Sequence, residues 1–321
     1  MVNAQGRSMF QFKIKSDVTT AFCLSEYSYS LASIKEDGTL VACHEASFSE
    51  ETKDSLGKSL SADIEKFNLI GKPCRLILTP TQYQLLLMDA ADVPESELAK
   101  ALKWRLKGLV DFPMNDIAMD AFLMPASGPA AHKKKALVAA TSLAALKARL
   151  AVFESALVDI NEVGISELSL RNICSLIVRE HKAPIVVIST EGGSGQLCIF
   201  YKDLLYLTRP ISVNLQIVEA NNNTDAILLE IQRSIDYCLS ELKIPEPREV
   251  YFTPSFYKAT DFINYVAAEL SKRALLINLR DYFSIEPPLE AEIQKEILFC
   301  LGGAMNAPDD ITSEIGSAGN L

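Results

Sequence analysis

Residues 185–211 read IVVISTEGGSGQLCIFYKDLLYLTRPI. The apolar run from Ile185 to Ser189, the glycine-rich turn from Glu191 to Gly195, and two further runs, Gln196 to Tyr201 and Leu204 to Arg209, predict three consecutive strands. A polar loop, NNNTD (221–225), precedes a long helix carrying Leu228, Ile231, Ile235, Cys238 and Leu242 at helical spacing. A strand at Glu249 to Phe252 closes the unit. Beyond it the pattern alternates: a helix around Phe262, Val266 and Leu270, a strand from Ala274 to Leu279, and a helix from Pro288 to about Met305.

The same order opens the chain. Residues 21–25, 28–34 and 39–48 predict three strands, with Glu36-Asp37-Gly38 as the turn between the last two. Leu56, Leu60, Ile64 and Phe67 then repeat at helical spacing, and Cys74 to Leu78 return as a strand. Two halves that each run through three strands, a helix and a strand imply an internal duplication. Such a fold binds ligand in the cleft between the halves, at the turns joining each half's first two strands.

Residues 81–125 differ in character and read as an insertion. They predict a strand from Tyr83 to Met88, a helix from Val93-Pro94-Glu95 to about Val110, and an extended run after Asp111-Phe112-Pro113. Leu98, Leu102, Leu106 and Leu109 make an apolar stripe on the helix, while Lys100, Lys103 and Lys107 share another face beside Trp104, the single tryptophan. An aromatic flanked by charge is a common form of binding hot spot, so these residues are a candidate partner surface. Two other readings stand beside it: contact with anionic headgroups, or a solvated lysine face with Trp104 half-buried against the sheet. Phe112 either closes the insertion's core or lines a groove. After a polar loop from Ser127 to Lys135, a strand at Ala136 to Ala140 and a helix with Leu143, Leu146, Leu150, Phe153 and Leu157 are expected. A strand near Glu162 to Ile165 and a helix through Ile173 and Ile177 complete the half. The expected organisation is a first half over 1–183 with 81–125 inserted, a second half over 184–305, and a disordered tail over 306–321.

Composition narrows the function. The 321 residues are 49% hydrophobic and 22% charged, enough for a sizeable core. Asp plus Glu number 41 against 31 Lys plus Arg, a formal charge of −10, so nucleic acid is not expected as the main partner. Seven cysteines, never spaced C-x-x-C, argue against a disulfide framework or a zinc site and fit a reducing cytoplasm. No stretch of about 18 apolar residues could span a bilayer, so membrane association is expected to run through a partner or a surface patch. His44, His132 and His181 lack metal-ligand spacing, no G-x-S-x-G occurs, and Gly57-Lys58-Ser59 lies inside an amphipathic helix rather than a phosphate loop. Cys43 and His44 are neighbours on a strand and point to opposite faces, which excludes a dyad.

Three segments carry a family resemblance: ALKWRLKGLVDFPMNDIAMDAFLMP (101–125), ISTEGGSGQLCIFYKDLLYLTRPI (188–211) and LLEIQRSIDYCLSELKIPEPREVYFTP (228–254). In order and spacing they resemble the type IV pilus assembly protein PilM family, and particularly its MSHA biogenesis branch, MshI. The similarity covers roughly residues 20 to 305. It implies an α/β, duplicated actin-like ATPase (ribonuclease H-like) fold with an inserted α+β subdomain. It also implies a cytoplasmic member of an inner-membrane pilus platform, holding the N-terminal segment of a PilN-like membrane protein between the first subdomain and the insertion. The cytoplasmic domain of the type II secretion protein GspL is a cousin and an alternative assignment.

The resemblance also shows what is missing. The family's first phosphate loop, approximately G-x-D-x-G, falls on Ala21, Cys23 and Ser25; in the second, Ser189 stands where Asp is expected and Glu191 where Gly is expected. A Glu beside a polyphosphate costs on the order of 1 to 4 kcal/mol at a few ångströms, for effective dielectrics of about 80 to 20. The adenosine motif's paired glycines are replaced by Thr253-Pro254-Ser255. The expectation is therefore a non-catalytic protein without cofactor that works by binding. The alternatives are a nucleotide switch or weak ATPase, taking ATP with Mg through Gly192, Gly193, Ser194 and Gly195, and a self-associating structural subunit. The same glycines equally suit a tight hairpin turn.

Overall fold

The computed structural model describes residues 17–125, 134–181, 183–191, 194–213, 215, 218, 224–285 and 288–306. The expected loop from Ser127 to Lys135 and the tail from 306 lie almost wholly outside them.

The first half builds a five-stranded sheet from β1 (Val18–Leu24), β2 (Ser28–Lys35), β3 (Leu40–Ser47), β4 (Pro73–Leu78) and β8 (Asp159–Ile165), in the order β3-β2-β1-β4-β8. The second half repeats it with β9 (Ile185–Glu191), β10 (Ser194–Tyr201), β11 (Leu204–Ile211), β12 (Glu249–Phe252) and β13 (Arg273–Leu276), in the order β11-β10-β9-β12-β13. The pairing senses agree as well. β1 with β2 and β9 with β10 are antiparallel, whereas β1 with β4, β4 with β8, β9 with β12 and β12 with β13 are parallel. The duplication expected from the strand runs is thus present strand for strand.

Alternation along the central strands sorts the core into layers. Phe22 and Leu24 of β1 face an outer layer formed by α1 (Leu56–Lys66) and α3 (Leu143–Ser155). Val186 and Ile188 of β9 face the corresponding outer layer of the second half, with Ile227, Ile231 and Ile235 of α5 (Thr224–Tyr237) and Phe262 and Val266 of α6 (Thr260–Leu270). The opposite faces, Ala21 and Cys23 on one side and Val187 and Cys198 on the other, share a single core with α4 (Ser166–His181) and α7 (Ala291–Ala304). α7 reaches that depth because it ends in two glycines. A Cβ on Gly302 would sit 2.1 Å from the Ser169 carbonyl oxygen, and one on Gly303 would sit 2.3 Å from Ile77 Cγ1. Arg75 of β4, fully buried, holds the end of this helix by donating to the carbonyls of Gly303 (2.9 Å) and Met305 (3.0 Å), and pairs with Glu162 of β8 at 2.9 Å.

The insertion is a three-stranded antiparallel sheet of β5 (Gln84–Asp89), β6 (Ile117–Leu123) and β7 (Lys135–Ser142), with α2 (Glu95–Leu102) on one face. Its order is β5-β7-β6, so the strand expected at Ala136 to Ala140 is the centre of the inserted sheet. The insertion therefore runs through Ser142 rather than ending at 125: its last strand follows a long polar loop, and only strand pairing ties it back. The helix expected to reach Val110 stops at Leu102. A 3-10 turn over Lys103–Leu106 follows, then Gly108 at φ +80, and Leu109 leaves the apolar stripe for solvent at 53% exposure while Leu98, Leu102 and Leu106 stay buried. Likewise α5 ends at Tyr237 and a π-helical turn over Cys238–Leu242 replaces its last expected turn.

Candidate functional site

Two clefts are available in this architecture. The first lies between the halves. Ala21 and Cys23 lie buried on the inner face of β1, and Ser189 follows Ile185 and Val187 on the inner face of β9 by the strand's alternation. Cys23 and Ser189, which the resemblance would match to phosphate-loop carboxylates, thus face the seam with a thiol and a hydroxyl.

The seam is spanned by a hydrogen-bonded chain. Glu167, in the first turn of α4 and 1% exposed, accepts from the Tyr83 hydroxyl at 2.5 Å on Oε2 and from the Gln196 side-chain amide on Oε1. Gln196 of β10 also donates to Thr208 Oγ1 of β11 at 2.9 Å, and the Tyr83 hydroxyl lies 2.7 Å from Ser166 Oγ. One carboxylate thereby joins the entry to the insertion, the head of α4 and the meander of the second half. Burial raises the Glu167 carboxyl above the ordinary glutamate range, against the opposing pull of Tyr83 and Gln196, and burial next to Glu167 holds the Tyr83 hydroxyl well above its own. Residues 83, 167 and 196 carry no local signature, which is why sequence reasoning passed over them.

Of the glycine cluster, Gly192 and Gly193 lie outside the described residues. Ser194 pairs with Glu191 in the β9–β10 hairpin. Gly195 has a packing reason: a Cβ there would lie 2.2 Å from Val213 Cγ1 and 2.6 Å from the Val213 carbonyl oxygen. Thr253 and Ser255, bonded hydroxyl to hydroxyl at 2.8 Å, are buried at the end of β12, and the Pro254–Phe256 turn packs against α7.

The second cleft is open. A shallow cavity of about 30 Å³ lies between the insertion and the first sheet, lined by Leu78 of β4, Tyr83, Val163 to Ile165 of β8, Ala118 to Asp120 of β6 and Ala139 to Thr141 of β7. β8 and β6 are edge strands of their respective sheets, so the cavity has backbone edges in its walls. Two outward amides of β6 are met by side chains: Ala121 N–H donates to Asp120 Oδ1 (2.8 Å) and Leu123 N–H to Glu95 Oε1 (3.4 Å). The lining is apolar apart from the buried Asp120, the Thr141 hydroxyl, which donates to the Gln82 carbonyl at 2.7 Å, and Tyr83. Tyr83 therefore belongs to both clefts.

The candidate partner residues do not line this cavity. Ala118, Asp120, Ala139 and Thr141 occupy the face of the inserted sheet opposite α2, whereas Leu98, Leu102 and Leu106 bind α2 to the other face. Lys100, Lys103, Trp104 and Lys107 stand on that outer layer. Trp104 is 75% exposed, not half-buried against the sheet, because the 3-10 turn throws it outward. Phe112 packs, half-buried, on the core of the insertion. His44 finds Asp63 of α1 at 2.9 Å, and Asp63 also accepts from Tyr29 at 2.5 Å; this outer-layer cluster lines neither cleft.

No protein-family model matches the sequence, and no curated protein matches it. Among solved structures, the chain is similar to one described as a PilM-PilN type IV pilus biogenesis complex, with a TM-score of 0.69 and 14% identity over 91% of this chain and 98% of that chain. It is also similar to a Bacteroides thetaiotaomicron protein of unknown function with an actin-like ATPase fold, with a TM-score of 0.54 and 9% identity over 90% and 100% of the two chains. Together with the repeated five-stranded sheets, these likenesses define the class: the chain has the actin-like ATPase fold. A fainter likeness, with a TM-score of 0.46 and 12% identity over 73% of this chain and 81% of that one, is to the cytoplasmic domain of EpsL, an inner membrane component of the type II secretion system of Vibrio cholerae. No helix among the described residues is long and apolar enough to cross a membrane.

Proposed function

We propose that this chain is a non-catalytic adaptor of a type IV pilus assembly platform, of the PilM kind and its MshI branch, and that it holds the N-terminal cytoplasmic segment of a PilN-like inner-membrane protein in the cleft between β6 and β8. The observation that carries the proposal is the apolar cavity walled by two edge strands. An extended peptide adds backbone hydrogen bonds along such edges and places alternate side chains in the pocket. A location at the cytoplasmic face of the inner membrane follows from that partner.

The seam supports the non-catalytic half of the proposal. Magnesium favours hard oxygen ligands, usually carboxylates and phosphates. At Cys23 and Ser189 the facing donors are a thiol and a hydroxyl, and the nearby Glu167 is engaged by Tyr83 and Gln196. These residues do not fit a Mg-nucleotide.

The test is calorimetric titration with the N-terminal peptide of a PilN-like protein. Wild type is expected to bind, and Ala118→Val and Ala139→Val, which fill the cavity from the wall formed by the inserted sheet, are expected to weaken binding while circular dichroism shows the fold retained. Unchanged binding in the filled variants overturns the assignment. Titration with ATP and Mg²⁺ up to about 1 mM, where a site of about −4 kcal/mol gives heat, is expected to be silent; saturable heat overturns the pseudo-ATPase reading.

A further inference from the structure

We infer that the outer face of the insertion, around Trp104, is a docking surface for an anionic lipid bilayer. Residues 98–110, LAKALKWRLKGLV, carry Lys100, Lys103, Arg105 and Lys107 and no acid, within a chain whose net charge is −10. The three leucines of the buried stripe fix which way the segment faces. With Leu98, Leu102 and Leu106 inside, Lys100, Trp104, Arg105 and Lys107 are exposed. Lys100 and Trp104 are one helical turn apart, and Trp104 and Lys107 are superposed by the three-residue period of the 3-10 turn, so they share a stripe. Gly108 at φ +80 then reverses the chain and presents Leu109, whose amide donates to the Leu106 carbonyl at 2.9 Å. Arg105 is held by a hydrogen bond to the Asp89 carbonyl at 2.8 Å and keeps its charge at the surface.

The occupant is set by shape and charge together. Trp104 projects 75% exposed from the layer opposite the cavity. A projecting indole with an exposed leucine beside it, ringed by cations, suits a deformable interface: indole rings settle at headgroup depth, and each lysine or arginine is drawn by the negative surface potential within a Debye length. The same chemistry repels the rest of this acidic chain from the bilayer, which leaves this face as the one that approaches.

The test uses the single tryptophan as its own reporter in the full-length chain. With vesicles of phosphatidylcholine containing about a third phosphatidylglycerol, Trp104 emission is expected to shift to the blue, to be quenched by brominated acyl chains, and to lose both effects as ionic strength approaches about 1 M. Co-sedimentation is expected to fall at least about tenfold on neutral vesicles and in Lys100→Glu with Lys107→Glu. Absence of the shift, equal binding to neutral vesicles, or unchanged binding of the charge-reversed variant overturns the inference. So does a shift produced by a soluble polyglutamate peptide but not by vesicles, which assigns an acidic partner, or by protein concentration alone, which assigns a second copy. The charge-reversed variant is expected to keep peptide binding in the β6–β8 cleft, so failure here leaves that reading standing, and the reverse.

Discussion

The two clefts of this molecule are built from the same materials and lined by different chemistry. Between the halves, α4 and α7 bring small and apolar side chains to the seam, and Tyr83, Glu167, Gln196 and Thr208 cross it with hydrogen bonds. Between the insertion and the first sheet, alanines at 118 and 139 leave a shallow cavity of about 30 Å³ beside two strand edges. A duplicated fold offers a ligand cleft by symmetry, but side-chain volume and hydrogen-bond satisfaction decide what lines each cleft. Tyr83 stands in both, so occupancy of one cleft and the fit of the other meet at one hydroxyl.

The comparison is broken most severely at Arg75. Glu162→Ala takes the carboxylate away from a fully buried guanidinium, and a loss of about 3–5 kcal/mol is expected in urea unfolding. Because β8 carries both Glu162 and the cavity wall, peptide affinity is expected to fall with it.

Gly195→Ala distinguishes a packing glycine from a phosphate-cradling one. A Cβ 2.2 Å from Val213 and 2.6 Å from a carbonyl oxygen is expected to cost about 1–3 kcal/mol in the absence of any nucleotide. Tyr83→Phe removes the 2.5 Å donor to Glu167 while keeping the ring in the cavity, with an expected loss of about 1–3 kcal/mol in chemical denaturation.

Glu167→Gln isolates the seam's charge. Because the folded carboxyl titrates above its ordinary value of 4.5, the native state holds a proton that the unfolded chain releases, and stability falls as pH rises from that value through the raised one. The slope cannot exceed about 1.4 kcal/mol per pH unit for one proton. In the Gln variant this component is expected to vanish, as read from unfolding midpoints across a pH series. The smallest effect is expected at Lys135→Ala: the Lys135–Asp89 pair is 2.6 Å long but half-exposed, so its loss costs about 0–1 kcal/mol.

Much of the architecture was legible because it is periodic. The apolar alternation of 185–211 and its counterpart near the N-terminus, together with helical spacings such as Leu56-Leu60-Ile64, report burial directly, and the strands and helices fall within a few residues of expectation. The departures occur where period and tertiary pairing part company. Leu109 continues the helical stripe on paper, but the chain tightens at Lys103 and turns at Gly108; Ala136 to Ala140 is an ordinary strand until β5 and β6 claim it from either side. The candidate surface divided in the same way. Trp104 and its lysines were visible as a face, but which side of the inserted sheet they occupy depends on the parity of β6 and β7, which no local pattern records.

By itself, the sequence determined the duplicated α/β layers, the insertion after β4 and the absence of carboxylates at Cys23 and Ser189, because burial periodicity and residue identity are local properties. Only the tertiary structure decided that Glu167 and Gln196, 29 residues apart, meet across the seam, that Arg75 reaches a carbonyl 228 residues away, and that two strand edges flank a cavity. Those contacts depend on how layers stack, and stacking is set by volumes and hydrogen bonds between residues distant in the chain.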